Sequence, residues 1–169
     1  LYRFAFQEGL HGENPAIQIR GPGQSKKLPK TMDIDEVDAL IDAARNSGRN
    51  ATDQLRNTCL IELLYATGMR VTELVSLPVS SARGNPEMLL VMGKGNKERL
   101  VPLSPPARDA LADWIKRRDD EEDLKQREKG TPPSRFLFPS RGKSGHLTRN
   151  SFYLLIKSWA AAAELETAK

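Results

Sequence analysis

Arg70 and Glu73 in LLYATGMRVTEL, and Lys94 in LLVMGKGNKERLVPL, are the residues of this chain whose types and spacing can do chemistry. Transfer at a phosphodiester builds negative charge around phosphorus, so it needs cations and donors placed where that charge develops. Arginine suits the task because its planar fork reaches two non-bridging oxygens at once. Arg70 follows Gly68, which is placed to end an apolar helix, so its side chain can project from a turn. Glu73, three residues on, can hold the guanidinium. Lys94 lies between Gly93 and Gly95 at the expected tip of a hairpin. A lysine on such a loop can reach into a cleft and protonate a leaving oxygen. Lys97 and Arg99 add phosphate-binding charge to the same loop. Taken by spacing alone, each part has a plainer reading that is the stronger one. Arg70 is then a surface arginine paired with Glu73 at a helix end, and GKGNK a solvated turn of the kind that collects Gly, Asn and Lys.

Other chemistries find little support. GKGNK lacks the GxxxxGK[ST] spacing of a nucleotide-binding loop and sits in a hairpin rather than before a helix. His11 and His146 lie in polar loops far apart, with no Cys/His or paired-carboxylate set, so neither a metal nor a cofactor is expected. No nucleophile elbow of the Ser-His-Asp hydrolases is present. Tyr65 and Tyr153 fall in apolar helical runs, and packing in the core or at its rim is expected for both. Cys59, the one cysteine, reads as a buried structural thiol, in keeping with a reducing compartment.

The elements that must position these groups follow from periodicity and caps. Asp33 and Glu36 make a capping box, after which Ile34, Val37, Leu40, Ile41 and Ala44 keep helical spacing. Thr52 or Asp53 starts the next helix, with Leu55, Cys59, Leu60, Leu63 and Leu64 on one face and Gly68 past its end. Thr72 or Ser76 begins or interrupts a short helix. Leu89–Val91 and Leu100–Val101 flank GKGNK as the arms of a hairpin. Ser104-Pro105-Pro106 opens a helix with Ala107, Ala110, Leu111, Trp114 and Ile115 inward. Phe136-Leu137-Phe138-Pro139 is a short buried anchor, and Thr148 caps a last helix carrying Phe152, Leu155, Ile156, Trp159 and Ala163.

The chain has 169 residues, a net charge of +4 and a pI of about 9.3. A balance this mild is weak evidence for an anionic partner, but its distribution says more. Arg20, Lys26, Lys27 and Lys30 form one basic cluster, and Arg135, Arg141, Lys143 and Arg149 another. The acids gather at 119–123 (DDEED), which reads as a solvated helix end. Such segregation suits a DNA-facing side opposite a solvent face. Residues 11–30, rich in Gly, Pro and Lys, read as a linker between domains. No apolar run approaches the ~20 residues that span a bilayer. The start, LYRFAFQEG, has no signal pattern and reads as the interior of a longer protein.

In order along the chain, LLYATGMRVTELVSL, MGKGNKERLVPL, FLFPSR and LTRNSFYLLIKSWA resemble the tyrosine recombinases, closest to the bacterial Xer type. The resemblance spans about residues 31–163 and includes the 24-residue step from Arg70 to Lys94. It implies a mainly α fold with a small antiparallel sheet (α+β), three-stranded in the family. Residues 1–20 would end a core-binding domain, 21–30 form the linker, and 31–169 the N-terminal part of the catalytic domain.

The resemblance also implies an activity. A tyrosine attacks a DNA phosphate to give a 3′-phosphotyrosine, which a free 5′-hydroxyl then resolves, with no metal or nucleotide required. Arg70 would be the first catalytic arginine, Glu73 its supporting acid and Lys94 the general acid. Lys27, Lys97, Arg99, Thr148 and Arg149 would contact DNA. The implied partners are duplex DNA and, for the full-length protein, related subunits in a tetrameric synapse in the cytoplasm, in chromosome dimer resolution. The family's His-x-x-Arg motif, a further His or Trp and the nucleophile are expected downstream. His146-Leu-Thr-Arg149 matches the first in letters, but its segment corresponds to the opening of the helix before that motif. The chain as given is therefore expected to be catalytically incomplete. Two rivals stand beside this reading: a non-enzymatic helix-turn-helix-like DNA-binding module over residues 55–80, and a helical interaction domain whose basic residues only solubilise it.

Overall fold

The local cues build a mostly helical chain. The computed structural model describes residues 1–19, 31–93, 95 and 97–165. The expected linker at 21–30, the cluster of Arg20, Lys26, Lys27 and Lys30, and Lys94 lie outside the described residues. The chain divides into two compact units, Leu1–Thr31 and Met32–Lys169. The first holds a short helix, α1 (Tyr2–Gln7), whose Tyr2, Phe4 and Phe6 are all at least half exposed.

The second unit begins with α2 (Ile34–Arg45) and α3 (Ala51–Thr67). The capping box forms: Glu36 N donates to Asp33 Oδ1 at 2.8 Å, and Asp33 N to Glu36 Oε2 at 3.0 Å. The start of α3 corrects the expected one. Asn50 is the cap, its Oδ1 accepting from Asp53 N at 2.8 Å, so the helix begins before Thr52. Asparagine caps as well as serine or aspartate does, and here it lies two residues ahead of Thr52. The helix ends at Gly68, whose φ of 57° is the left-handed conformation expected of it.

One turn of helix follows, α4 (Val71–Val75). Five residues, with Leu74 and Val75 buried, leave no recognition helix, which removes the helix-turn-helix rival. A 3₁₀ turn at Val79–Ala82 leads to an antiparallel hairpin, β1 (Met88–Met92) and β2 (Glu98–Pro102). Leu90 pairs with Leu100 and Val91 with Arg99. Leu89, Val91 and Val101 face the core, while Met88, Leu90, Met92 and Leu100 face out. The family's third strand does not form among the described residues. Residues 136 and 146 make only isolated bridges, to Pro78 and Pro139. Proline donates no ladder hydrogen bond, so Pro78 and Pro139 leave each crossing a single bridge.

The long α5 (Pro105–Lys129) packs along α3, and α6 (Arg149–Ala162) packs on α2 and α4. Ser104 and Thr148 cap them as expected, accepting from Ala107 N and Ser151 N. The buried anchor is present: Leu137 and Phe138 are fully buried, and Trp114 donates from Nε1 to Leu137 O at 3.0 Å while stacking on Phe138. Cys59 is buried, and burial raises its thiol pKa well above the usual value.

The acidic run 119–123 is not a solvated helix end. It lies inside α5, where Arg118 and Glu122 are buried. Arg118 donates to the carbonyls of Phe136 and Ser134, and Glu122 accepts from Ser134 N at 2.7 Å and Lys125 Nζ at 2.7 Å. The returning segment 131–139 brings backbone groups against α5, and these two side chains satisfy them. Asp119 pairs with Arg83 at 2.7 Å and with Arg118 at 2.8 Å.

Candidate active site

The site is built where α3 stops. Thr67 Oγ1 donates to Leu63 O and accepts from Met69 N, while Gly68 N donates to Leu64 O at 2.9 Å. Met69 is buried and anchors the turn. Arg70 then has extended backbone, φ −66° and ψ 145°, which throws its side chain clear of the helix. That side chain is 67 % exposed.

Glu73 gathers the site. Its Oε2 accepts from Arg70 N at 2.9 Å, which starts α4, and its Oε1 accepts from Arg70 Nη1 at 3.0 Å. Arg99, from β2, donates from Nη2 to Oε2 at 2.7 Å and from Nη1 to Oε1 at 3.2 Å. The carboxyl is lowered to a pKa of about 2, chiefly by the Arg99 hydrogen bond. Burial opposes this, and the Arg70 N–H and guanidinium assist. Gly93 sits against the cluster, its N donating to Lys97 O at 2.7 Å to close the base of the loop.

The structure thus brings together Arg70, Glu73 and Arg99. Lys97 is exposed on the same loop. Thr148 and Arg149 are exposed at the start of α6, which packs beside α4, and neither bonds to the cluster among the described residues. Lys27 and Lys94 lie outside the described residues. His146 turns its ring onto Phe136, 4.7 Å between centroids, and its Nδ1 lies 2.7 Å from Leu147 O. Tyr65 and Tyr153 correct an expectation. They are 61 % and 56 % exposed, because each stands on the outer face of its helix while the leucines and tryptophan beside it fill the inner one.

The pairing of Arg99 with Glu73 was not foreseen, although a signal existed. Strand alternation puts Arg99 on the same side as Val101 and Leu103, both buried. A charge on an inward row needs a carboxylate opposite it.

The phage integrase family profile matches residues 30–169. The chain belongs to the phage integrase family. Among curated family relatives, the tyrosine recombinase XerD of Bradyrhizobium diazoefficiens is 42 % identical over 98 % of this chain and 54 % of its own length. The XerD of Rhizobium meliloti is 44 % identical over 99 % of the chain and 52 % of its length. The chain spans about half the length of these relatives. A post-cleavage complex of XerH site-specific recombinase with a palindromic difH substrate shares the fold, with a TM-score of 0.68 and 24 % identity over 90 % of this chain and 42 % of that one. The crystal structure of XerA recombinase matches at a TM-score of 0.64 and 23 % identity, over 90 % of this chain and 49 % of that one. The resemblance to the tyrosine recombinases of the Xer type, read from four short motifs, therefore holds over residues 30–169.

Proposed function

We propose that this segment carries the first half of the active site of a site-specific DNA recombinase of the Xer type. The observation that carries this reading is the clamped pair at the end of α3. Arg70 is held at one nitrogen by Glu73 while most of its side chain stays open to solvent. An arginine fixed in this way can meet a phosphate without first paying the entropy of being ordered. In the reaction, a tyrosine oxygen attacks phosphorus, the bond from phosphorus to the 5′-oxygen breaks, and Lys94 gives that oxygen its proton. Arg70 stabilises charge on the non-bridging oxygens throughout. Lys27, Lys97, Thr148 and Arg149 hold the duplex backbone. The full-length protein works in the cytoplasm in a tetrameric synapse on duplex DNA, in chromosome dimer resolution. In this reading Tyr65 and Tyr153, which stand on the outer faces of α3 and α6, are not the nucleophile, and the segment alone does not carry out the reaction.

Duplex binding against salt tests this. About five phosphate contacts give a log–log slope of roughly −4 to −5. Lys97→Ala weakens binding to all sequences alike and flattens the slope by about one. The same mixtures, with nicked duplex and a denaturing gel, show no covalent band. A slope near zero, or a covalent band lost on Tyr65→Phe or Tyr153→Phe, overturns the reading.

A further inference from the structure

Glu73 accepts four donors on two oxygens, which fills a carboxylate's capacity. The two arginines use it differently. Arg99 spends both terminal nitrogens on it and is 38 % exposed. Arg70 spends one and is 67 % exposed. Glu73 itself is only 7 % exposed, so an Arg99 that left for a phosphate would strip a nearly buried anion of its two-point partner. The surroundings are shaped for Arg99 to stay. A Cβ on Gly93 would lie 3.2 Å from Arg99 Nη1 and 3.2 Å from Lys97 O, so only glycine leaves the guanidinium its full room.

We infer that Arg99 is a positioning residue for Arg70, acting through Glu73, and not one of the phosphate contacts. It locks the carboxylate, the carboxylate aims Arg70 outward, and the hairpin and the α3–α4 turn become one unit. This rests on the reading of Arg70 as the phosphate-stabilising group. Among the described residues, the charged groups bonded to Glu73 are Arg70 from the start of its own helix and Arg99 from β2.

The test follows the Glu73 carboxyl by ¹³C NMR and the Arg70 and Arg99 side chains by ¹⁵N NMR in the 169-residue chain. In the unsubstituted chain Glu73 titrates near 2. Arg99→Gln moves that midpoint up by at least ~1 pH unit. The Arg70 guanidinium then loses order as pH falls through the new, higher midpoint. Arg99→Lys, which restores a point charge but not the fork, falls between the two. Gly93→Ala displaces Arg99 and gives a milder form of the same shift, so the question stays decidable if Arg99→Gln does not fold. A role confined to stabilising the hairpin would leave the pH profile of Arg70 unmoved, and that result overturns the inference.

A short duplex DNA supplies the second arm. Its addition shifts the Arg70 resonance and not that of Arg99, and Arg99→Gln leaves the salt slope unchanged. A slope flatter by about 0.9 in Arg99→Gln, with Arg70 order intact, makes Arg99 a phosphate contact and overturns the inference. If no duplex binds under any condition, the recombinase reading fails on its own, while the NMR profile still decides the positioning role.

Discussion

At the scale of single residues, Glu73 is the pivot. Its folded-state carboxyl is lowered from an ordinary 4.5 to about 2. A lowered carboxyl pKa contributes stability that is fully present above the ordinary value and is lost as pH falls through the folded one. Thermal melts of the chain and of Glu73→Gln therefore differ most above about pH 5, and the difference closes as pH approaches 2. A constant difference across that range would mean that the ion pairs contribute nothing and that Glu73 acts only through packing. Arg70 illustrates the same economy of contact. One hydrogen bond to its guanidinium orients it, and the remaining donors stay available to a ligand.

At the scale of elements, the site depends on how α3 ends. Gly68 holds a φ of 57°, with nothing within 4 Å of where a Cβ would stand. Space is therefore no obstacle to a larger residue, and only backbone strain is. Gly68→Ala should cost about 1–2 kcal/mol, the usual penalty for placing an L side chain in that conformation. Because Arg70 is two residues on, the substitution should also loosen its bond to Glu73, visible as a rise in the Glu73 titration midpoint. Stability measured by urea unfolding reports the first effect. A loss below ~0.3 kcal/mol would show that the turn adopts another conformation without harm. The hairpin contributes from the other side: its register sets Arg99 opposite Val91, on the inner row, where it meets α4.

At the scale of the whole second unit, α5 is the support against which the rest is ordered. It packs on α3, and through Arg118, Glu122 and Trp114 it holds the segment 134–138. Arg118→Met keeps the length of the side chain but removes every donor. The carbonyls of Ser134 and Phe136 then lose a partner, at a cost of about 3 kcal/mol together. In urea the midpoint should fall with the slope unchanged, since the surface exposed on unfolding is the same. An unshifted midpoint would show that water replaces the guanidinium at no cost. The Glu73 titration should not move in this variant, because Arg118 makes no bond to the cluster.

By itself the sequence determined what near neighbours decide. Asp33 with Glu36, Ser104 with Ala107 and Thr148 with Ser151 are caps formed within three residues. The left-handed Gly68 and the hairpin around GKGNK are local in the same way, and so was the pairing of Arg70 with Glu73. The family motifs were legible for a related reason, since each is a short stretch whose chemistry depends on a local turn. Tertiary structure decided the rest. Arg99 reaches Glu73 across 26 residues of sequence, and Arg118 reaches Ser134 across 16. A charged residue read in isolation looks solvated, because water is its default partner. Only the packing of distant elements shows which charges lose that water and must find another charge or a carbonyl instead. The same packing turned Tyr65 and Tyr153 outward, because the inner faces of α3 and α6 were already filled by Leu60, Leu63, Phe152 and Trp159.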